Sequence, residues 1–192
     1  MFRRCPREDT RFRLIFVGAY SLRKGIGYLF DAARPLVKRG LIELWLVGDK
    51  TDETQDLLGR NRDIFVDHGP QNRRRLSWYF SQADALVLPS VEDGFGLVQA
   101  QAMACGVPVI ATTNTGAEDL FTDGVEGFIV PIRDVAALRE RIEILMDDES
   151  RRKAMANAAL RRVQALGGWN EYGERALELY EALAMGTRRD AR

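Results

Sequence analysis

The sequence predicts an α/β domain built on a doubly wound parallel sheet of six strands, followed by C-terminal helices. Two observations carry that expectation. From Arg13 to Pro131, short and nearly continuous apolar runs alternate with helical stretches, and after Pro131 only helical periodicity remains. Apolar runs without in–out alternation are what strands covered on both faces require, since a sheet with one wet face would alternate. The 192 residues suffice for one well-buried core and not for two large domains, so 1–192 is read as a single domain.

The first strand is RLIFVG (13–18), closed by glycine, and the helix after it sets Ile26, Leu29, Phe30, Ala33, Leu36 and Val37 at helical spacing. IELWLVG (42–48) follows, then a polar helical stretch, then the strand IFVDHG (64–69). Next comes a helix with Leu76, Tyr79, Phe80 and Ala83 on one face. The strand ALVLPS, the helix FGLVQAQAMACG, the strand PVIATT, a short GAEDLF helix and the strand GFIVP complete the alternation. Thr115 and Glu118 in that short helix read as a capping box. Three further helices each show an apolar stripe expected to be buried, through Leu138, Ile142 and Leu145 in the first and Ala176, Leu177, Tyr180 and Leu183 in the last. Residues 1–11 read as a linker-like start, and 186–192, with nothing to bury, as a mobile tail. The whole is Rossmann-like. If the strand order is 3-2-1-4-5-6, strands 1 and 4 are neighbours, and the loops leaving them flank the crevice where such sheets take ligands.

Composition narrows the function classes. Hydrophobic residues make up 46% and charged residues 29%, with formal charge zero, so no nucleic-acid partner is implied. The Arg73-Arg74-Arg75 triplet and Arg188-Arg189 read as solvated clusters. Two cysteines, Cys5 and Cys105, make no disulfide framework, so a reducing, cytoplasmic setting is the default, with Cys105 a small buried hydrophobe. The first residues contain no apolar signal core and no run spans a bilayer. Peripheral membrane contact of a longer protein stays compatible with that.

The unusual residues fall on the two switch-point loops. In YSLRKG, Arg23 and Lys24 stand just before a helix N-terminus, where a cation is disfavoured by ~0.3–1 kcal/mol and a bound anion would reverse the cost. Gly25 would allow close approach. The second loop sets Glu92 and Asp93 before Gly94-Phe95-Gly96 and a helix that is apolar except for Gln99 and Gln101. At ~100° per residue, Gln101 returns to within roughly 20° of the face on which Gly94 opens, whereas Gln99 faces elsewhere and reads as structural. A carboxylate, a glycine loop and a polar group one to two turns in would together grip a sugar, a phosphate and a ribose. A capped glycine turn with a hydrogen-bonded core glutamine is the plainer alternative.

KG at the first helix, PSxxxGFGL, AMACGVPVIA and DGVEGFIVP, in that order, resemble the C-terminal domain of retaining GT-B glycosyltransferases, the group 1 or family 4 type. The resemblance runs from about Phe12 to Ala184 and includes Trp169 and Tyr172 at the start of the last helix. It implies transfer of a sugar from a nucleoside-diphosphate sugar. Asp93 would contact hydroxyls of the transferred sugar and act as the catalytic carboxylate, and Gln101 would take the ribose hydroxyls. The N–H groups of Gly94, Phe95, Gly96 and Leu97, with Lys24, would hold the diphosphate. An acceptor glycan or lipid would be held by an N-terminal domain expected to precede Met1.

Two positions depart from the family. An arginine that commonly follows the first-strand glycine is Ala19 here, leaving Arg23 to supply a second cation, and the Glu-x7-Glu pair is replaced by Asp93 and Gln101. Glu92 is the second choice for the sugar role. His68, the lone histidine, reads as a strand-end residue near the nucleobase side. With no metal-ligand spacing and no Asp-x-Asp, neither a metal nor a cofactor is expected. A nucleotide-binding module without catalysis is the competing reading. An NAD-linked oxidoreductase would need a glycine fingerprint after strand 1 that is not there.

Overall fold

The computed structural model describes residues 2–189. Its strands are β1 (Arg13–Val17), β2 (Glu43–Val47), β3 (Val66–Asp67), β4 (Ala85–Leu88), β5 (Val109–Thr112) and β6 (Gly127–Val130). All pair in parallel, in the order β3-β2-β1-β4-β5-β6. The helices are α1 (Ile26–Lys38), α2 (Gln55–Arg60), α3 (Arg73–Ser81), α4 (Val98–Met103), α5 (Ala117–Leu120), α6 (Val135–Asp147), α7 (Glu149–Leu166) and α8 (Trp169–Arg189). The third strand is shorter than 64–69: Ile64 is buried, the strand itself is exposed Val66 and Asp67, and beyond it His68 N still donates to Leu46 O and Gly69 O accepts from Gly48 N.

Successive strand residues serve opposite faces. Leu14, Phe16, Leu44, Leu46, Ala85, Val87 and Ile110 meet Ile26, Leu29, Phe30 and Ala33 of α1 with Leu138, Ile142 and Leu145 of α6. Ile15, Trp45, Val47, Leu86, Leu88 and Val109 meet Tyr79 and Phe80 of α3, Ala102 and Met103 of α4 and Ala159 of α7. Each fully buried aliphatic side chain contributes about 1.5–3 kcal/mol. Pro35 lies inside α1 and has no N–H for the carbonyl of Asp31. The Arg139 guanidinium of α6 donates to that oxygen at 2.7 Å and to Ala32 O at 3.1 Å, so the gap in one helix becomes the contact with another.

At the N-terminal ends of the strands, buried Asp84 binds three parts of the chain together. Its carboxylate accepts from both terminal nitrogens of Arg7 at 2.8 and 2.9 Å and from Arg13 N at 2.8 Å, and lies 3.3 Å from Arg152 Nε of α7. Beside it, buried Gln82 donates to Pro6 O and accepts from Glu8 N. Residues 2–9 are thereby tied to the α3–β4 corner, with the Phe2 ring 6.1 Å from that of Phe80.

Two expectations are corrected. The stripe of α8 is not buried: Leu177, Tyr180 and Leu183 are 57%, 68% and 61% exposed. Helical spacing states that a face is apolar, and burial needs a second surface packed against it. The capping box is absent too. Gly116, not Thr115, precedes α5, without a side-chain cap, and buried Thr115 donates its hydroxyl to Thr112 O at 2.6 Å. Of the tail expected at 186–192, Gly186–Arg189 continue α8, and residues 190–192 lie outside the described residues.

Removing the Asp84 carboxylate leaves two guanidinium groups without their anion inside the fold. Asp84→Ala is expected to lower stability by about 2–3 kcal/mol in urea unfolding, and Arg7→Ala, at a more open site, by no more than about 1 kcal/mol. Equal losses would contradict the central place of Asp84.

Candidate functional site

Parallel pairing of β1 with β4 (Leu14 beside Ala85, Ile15 beside Leu86) delivers the loops after both strands to the same edge of the sheet. Gly25 closes the gap between them. It adopts φ 72°, and a Cβ there would stand 1.9 Å from the Pro89 carbonyl oxygen, so the close approach it permits is to the β4 backbone itself. Arg23 continues the join: its carbonyl accepts from Val91 N at 2.9 Å and its guanidinium donates to Glu92 O at 3.0 Å.

Lys24 and Asp93 then meet. The Nζ of Lys24 is ion-paired with Oδ2 of Asp93, across 69 positions of sequence. Helix α1 begins behind Lys24 with no side-chain cap and no acidic residue in its first turn, so its partial positive charge is uncompensated. In the other loop, Asp93 N donates to Asn114 O at 2.9 Å, and Asn114 Nδ2 donates to Val91 O at 3.1 Å. The N–H groups of Gly94, Phe95, Gly96 and Leu97 have no hydrogen-bond partner among the described residues. Phe95 and Leu97 themselves are half exposed, at 46% and 52%.

The loop's shape is held from beneath by Gln99. Its side chain is fully buried, and Nε2 donates to Phe95 O at 3.1 Å and Thr115 O at 2.7 Å. Gly96, at φ 64°, has no room for a Cβ, which would lie 2.7 Å from that same Nε2. The structural reading of Gln99 therefore acquires a definite content: it links the glycine loop to the loop after β5. Gln101 is half-buried on α4, and its side chain makes no bond within the described residues. Glu92 is exposed.

Asn114 was not singled out by the sequence, because an asparagine in TTNTG signals only a turn; its role depends on which loops become neighbours. The same holds for a cluster at the ends of β1–β3. Fully buried Tyr20 donates its hydroxyl to Asp67 Oδ1 at 2.9 Å, and Lys50 Nζ lies 2.6 Å from Asp67 Oδ2. His68, next in the chain, sits edge-on to Trp45 and Tyr79 with ring centroids 4.4 and 5.1 Å away. Among the described residues no group of His, Cys, Asp and Glu could hold a metal ion, and no helix is long and apolar enough to cross a membrane.

Comparison with known proteins adds the family. The model described as "Glycosyl transferases group 1" matches residues 11–148. A D-inositol 3-phosphate glycosyltransferase from Arthrobacter sp. (strain FB24) is 34% identical over 181 residues, which are 90% of this chain and 43% of the relative. The chain thus spans less than half the length of that relative. Among solved structures, the C-terminal domain of LpcC, a glycosyl transferase group 1 family protein from Francisella tularensis, superposes with TM-score 0.74 at 19% identity, over 80% of this chain and 85% of that one. HepE from Anabaena, solved in complex with UDP, gives TM-score 0.80 at 22% identity, over 90% of this chain and 49% of that one. Both likenesses are of fold, and they make the sheet described above that of a GT-B C-terminal domain.

The geometry carries two expected outcomes. Gly25→Ala should cost at least about 2 kcal/mol in urea unfolding, because the β1 and β4 loops cannot approach around a methyl group; unchanged stability would contradict the contact with Pro89. Burial pushes the His68 imidazole below its ordinary value of 6.5. The unfolded chain then binds a proton that the folded chain refuses, so stability falls as the pH drops through about 6.5 and stops falling once the folded imidazole also protonates. An NMR titration of this lone histidine should show a midpoint below 6.5, and His68→Phe should flatten that part of the stability profile.

Proposed function

Because the chain belongs to the glycosyl transferases group 1 family, we propose that it is the donor-binding half of an enzyme that moves a sugar from a nucleoside-diphosphate sugar to an acceptor, with retention at the anomeric carbon. The observation that carries this reading is the meeting of Lys24 and Asp93 beside four loop N–H groups without partners among the described residues. These N–H groups are left open, three of the four on exposed residues, and stand beside a lysine, so an anionic ligand would find charge-assisted and neutral donors together. The solved complex of HepE with UDP, on the same fold, supports a nucleotide in that crevice.

In this reading the diphosphate lies against Lys24 and the N–H groups of Gly94 to Leu97, at the uncapped start of α1, with Arg23 as the second cation. As the bond from sugar to phosphate breaks, charge grows on the departing diphosphate, and these fixed donors stabilise it without reorganising. Asp93 accepts from hydroxyls of the transferred sugar and orients its anomeric carbon. Gln101 takes the ribose hydroxyls, keeping the hydrogen-bonding capacity of a glutamate but not its charge. Positioning and charge neutralisation do the work, and no metal is invoked. The acceptor, a glycan or lipid, is held by a domain corresponding to the other half of the longer relatives, and the setting is cytoplasmic.

Calorimetric titration with uridine, guanosine and adenosine diphosphates tests the site. One of them should bind, and Lys24→Ala should weaken it about tenfold or more while leaving the fold intact. Absence of binding by all three would refute the donor site. Product formation by the 192-residue chain alone would refute the need for a second half.

A further inference from the structure

The Lys24–Asp93 ion pair spans the place where diphosphate and sugar would lie. Both side chains are mostly buried, 17% and 13% exposed. Neither has another partner: the Asp93 carboxylate accepts only from Lys24, and Lys24 Nζ donates only to Asp93, among the described residues. Arg23, by contrast, is exposed, spends one bond on the neutral Glu92 carbonyl and has no ion-pair partner among the described residues. The cation assigned to phosphate and the anion assigned to sugar therefore satisfy each other between the two loops.

We propose that Asp93 is a specificity-determining residue that discriminates an intact nucleoside-diphosphate sugar from the bare diphosphate, by holding Lys24 whenever no sugar hydroxyl is present to bond its carboxylate. The inference rests on the donor reading above. An intact donor brings phosphate oxygens for Lys24 and hydroxyl donors for Asp93, so the ion pair is exchanged for charge-assisted bonds on both sides. A bare diphosphate brings only the first. Taking Lys24 then strands a mostly buried carboxylate beside a second anion, which costs both the lost partner and the repulsion. Discrimination arises from that unpaired charge rather than from extra contacts with the sugar. Its consequence for turnover is that the diphosphate left after transfer is held less tightly than the donor that replaces it.

The test is titration of the 192-residue chain, Asp93→Asn and Asp93→Ser at fixed ionic strength. The probes are uridine, guanosine and adenosine diphosphates, their glucose conjugates, and pyrophosphate, which has neither base nor sugar. Asp93→Asn retains the side chain's size, Asp93→Ser removes the charge by a different route, and circular dichroism checks that each is folded. In both, the diphosphate of the preferred base and pyrophosphate should bind at least about threefold more tightly, and the preference for the glucose conjugate over the diphosphate should shrink by at least about threefold. Unchanged or weaker diphosphate binding in the folded variants, with the parent chain still binding, overturns the role of Asp93 and leaves the donor reading standing. If no nucleotide binds the parent chain, or Lys24→Ala binds as well as the parent, the donor reading fails and this inference with it.

Discussion

The pairing of β1 with β4 is the constraint on which the rest of the molecule depends. Parallel strands in register release their chains at the same edge, and right-handed crossovers send α1 to one face and α4 to the other. The two loops leave that edge side by side and are held against each other before their helices diverge. The contacts of the candidate site are a consequence: Gly25 lies against Pro89, Arg23 ties the two loops, and Lys24 reaches Asp93.

The two ends of the sheet are treated differently. At the N-terminal end, Asp84 and Gln82 satisfy the polar groups of the chain start, β1 and α7. At the C-terminal end the reverse holds. Among the described residues, four consecutive N–H groups have no partner, the buried hydroxyl of Ser90 has none, and a helix begins without a cap. Of these, the buried Ser90 hydroxyl costs stability, whereas the loop N–H groups, three of them on exposed residues, stay available to a ligand. The glycine loop keeps its shape nonetheless, because the Gln99 amide is bonded beneath it and Asn114 beside it.

Helix α8 follows another logic. Its apolar positions are as regular as those of α6, yet Leu138, Ile142 and Leu145 are buried and Leu177 and Tyr180 are open. Both helices carry the same kind of pattern. Burial depends on what lies opposite, and α6 has α1 and the sheet edge for that.

Much of this was legible in the chain's order of residues. Unbroken apolar runs required strands covered on both faces, glycines closed them, and helical spacing placed the core of α1 and α6, because these are local properties of a period and a burial demand. The two loops with unusual residues could be named for the same reason, along with Lys24, Asp93 and the loop glycines. Contacts across the fold were another matter. That Gly25 faces Pro89, that Gln99 holds two loops, that Thr115 turns inward instead of capping, and that the α8 stripe stays open depend on which segments become neighbours. No local pattern records this. It is settled when distant strands pair, and the ion pair of Lys24 with Asp93, 69 residues apart, exists only as a result of that pairing.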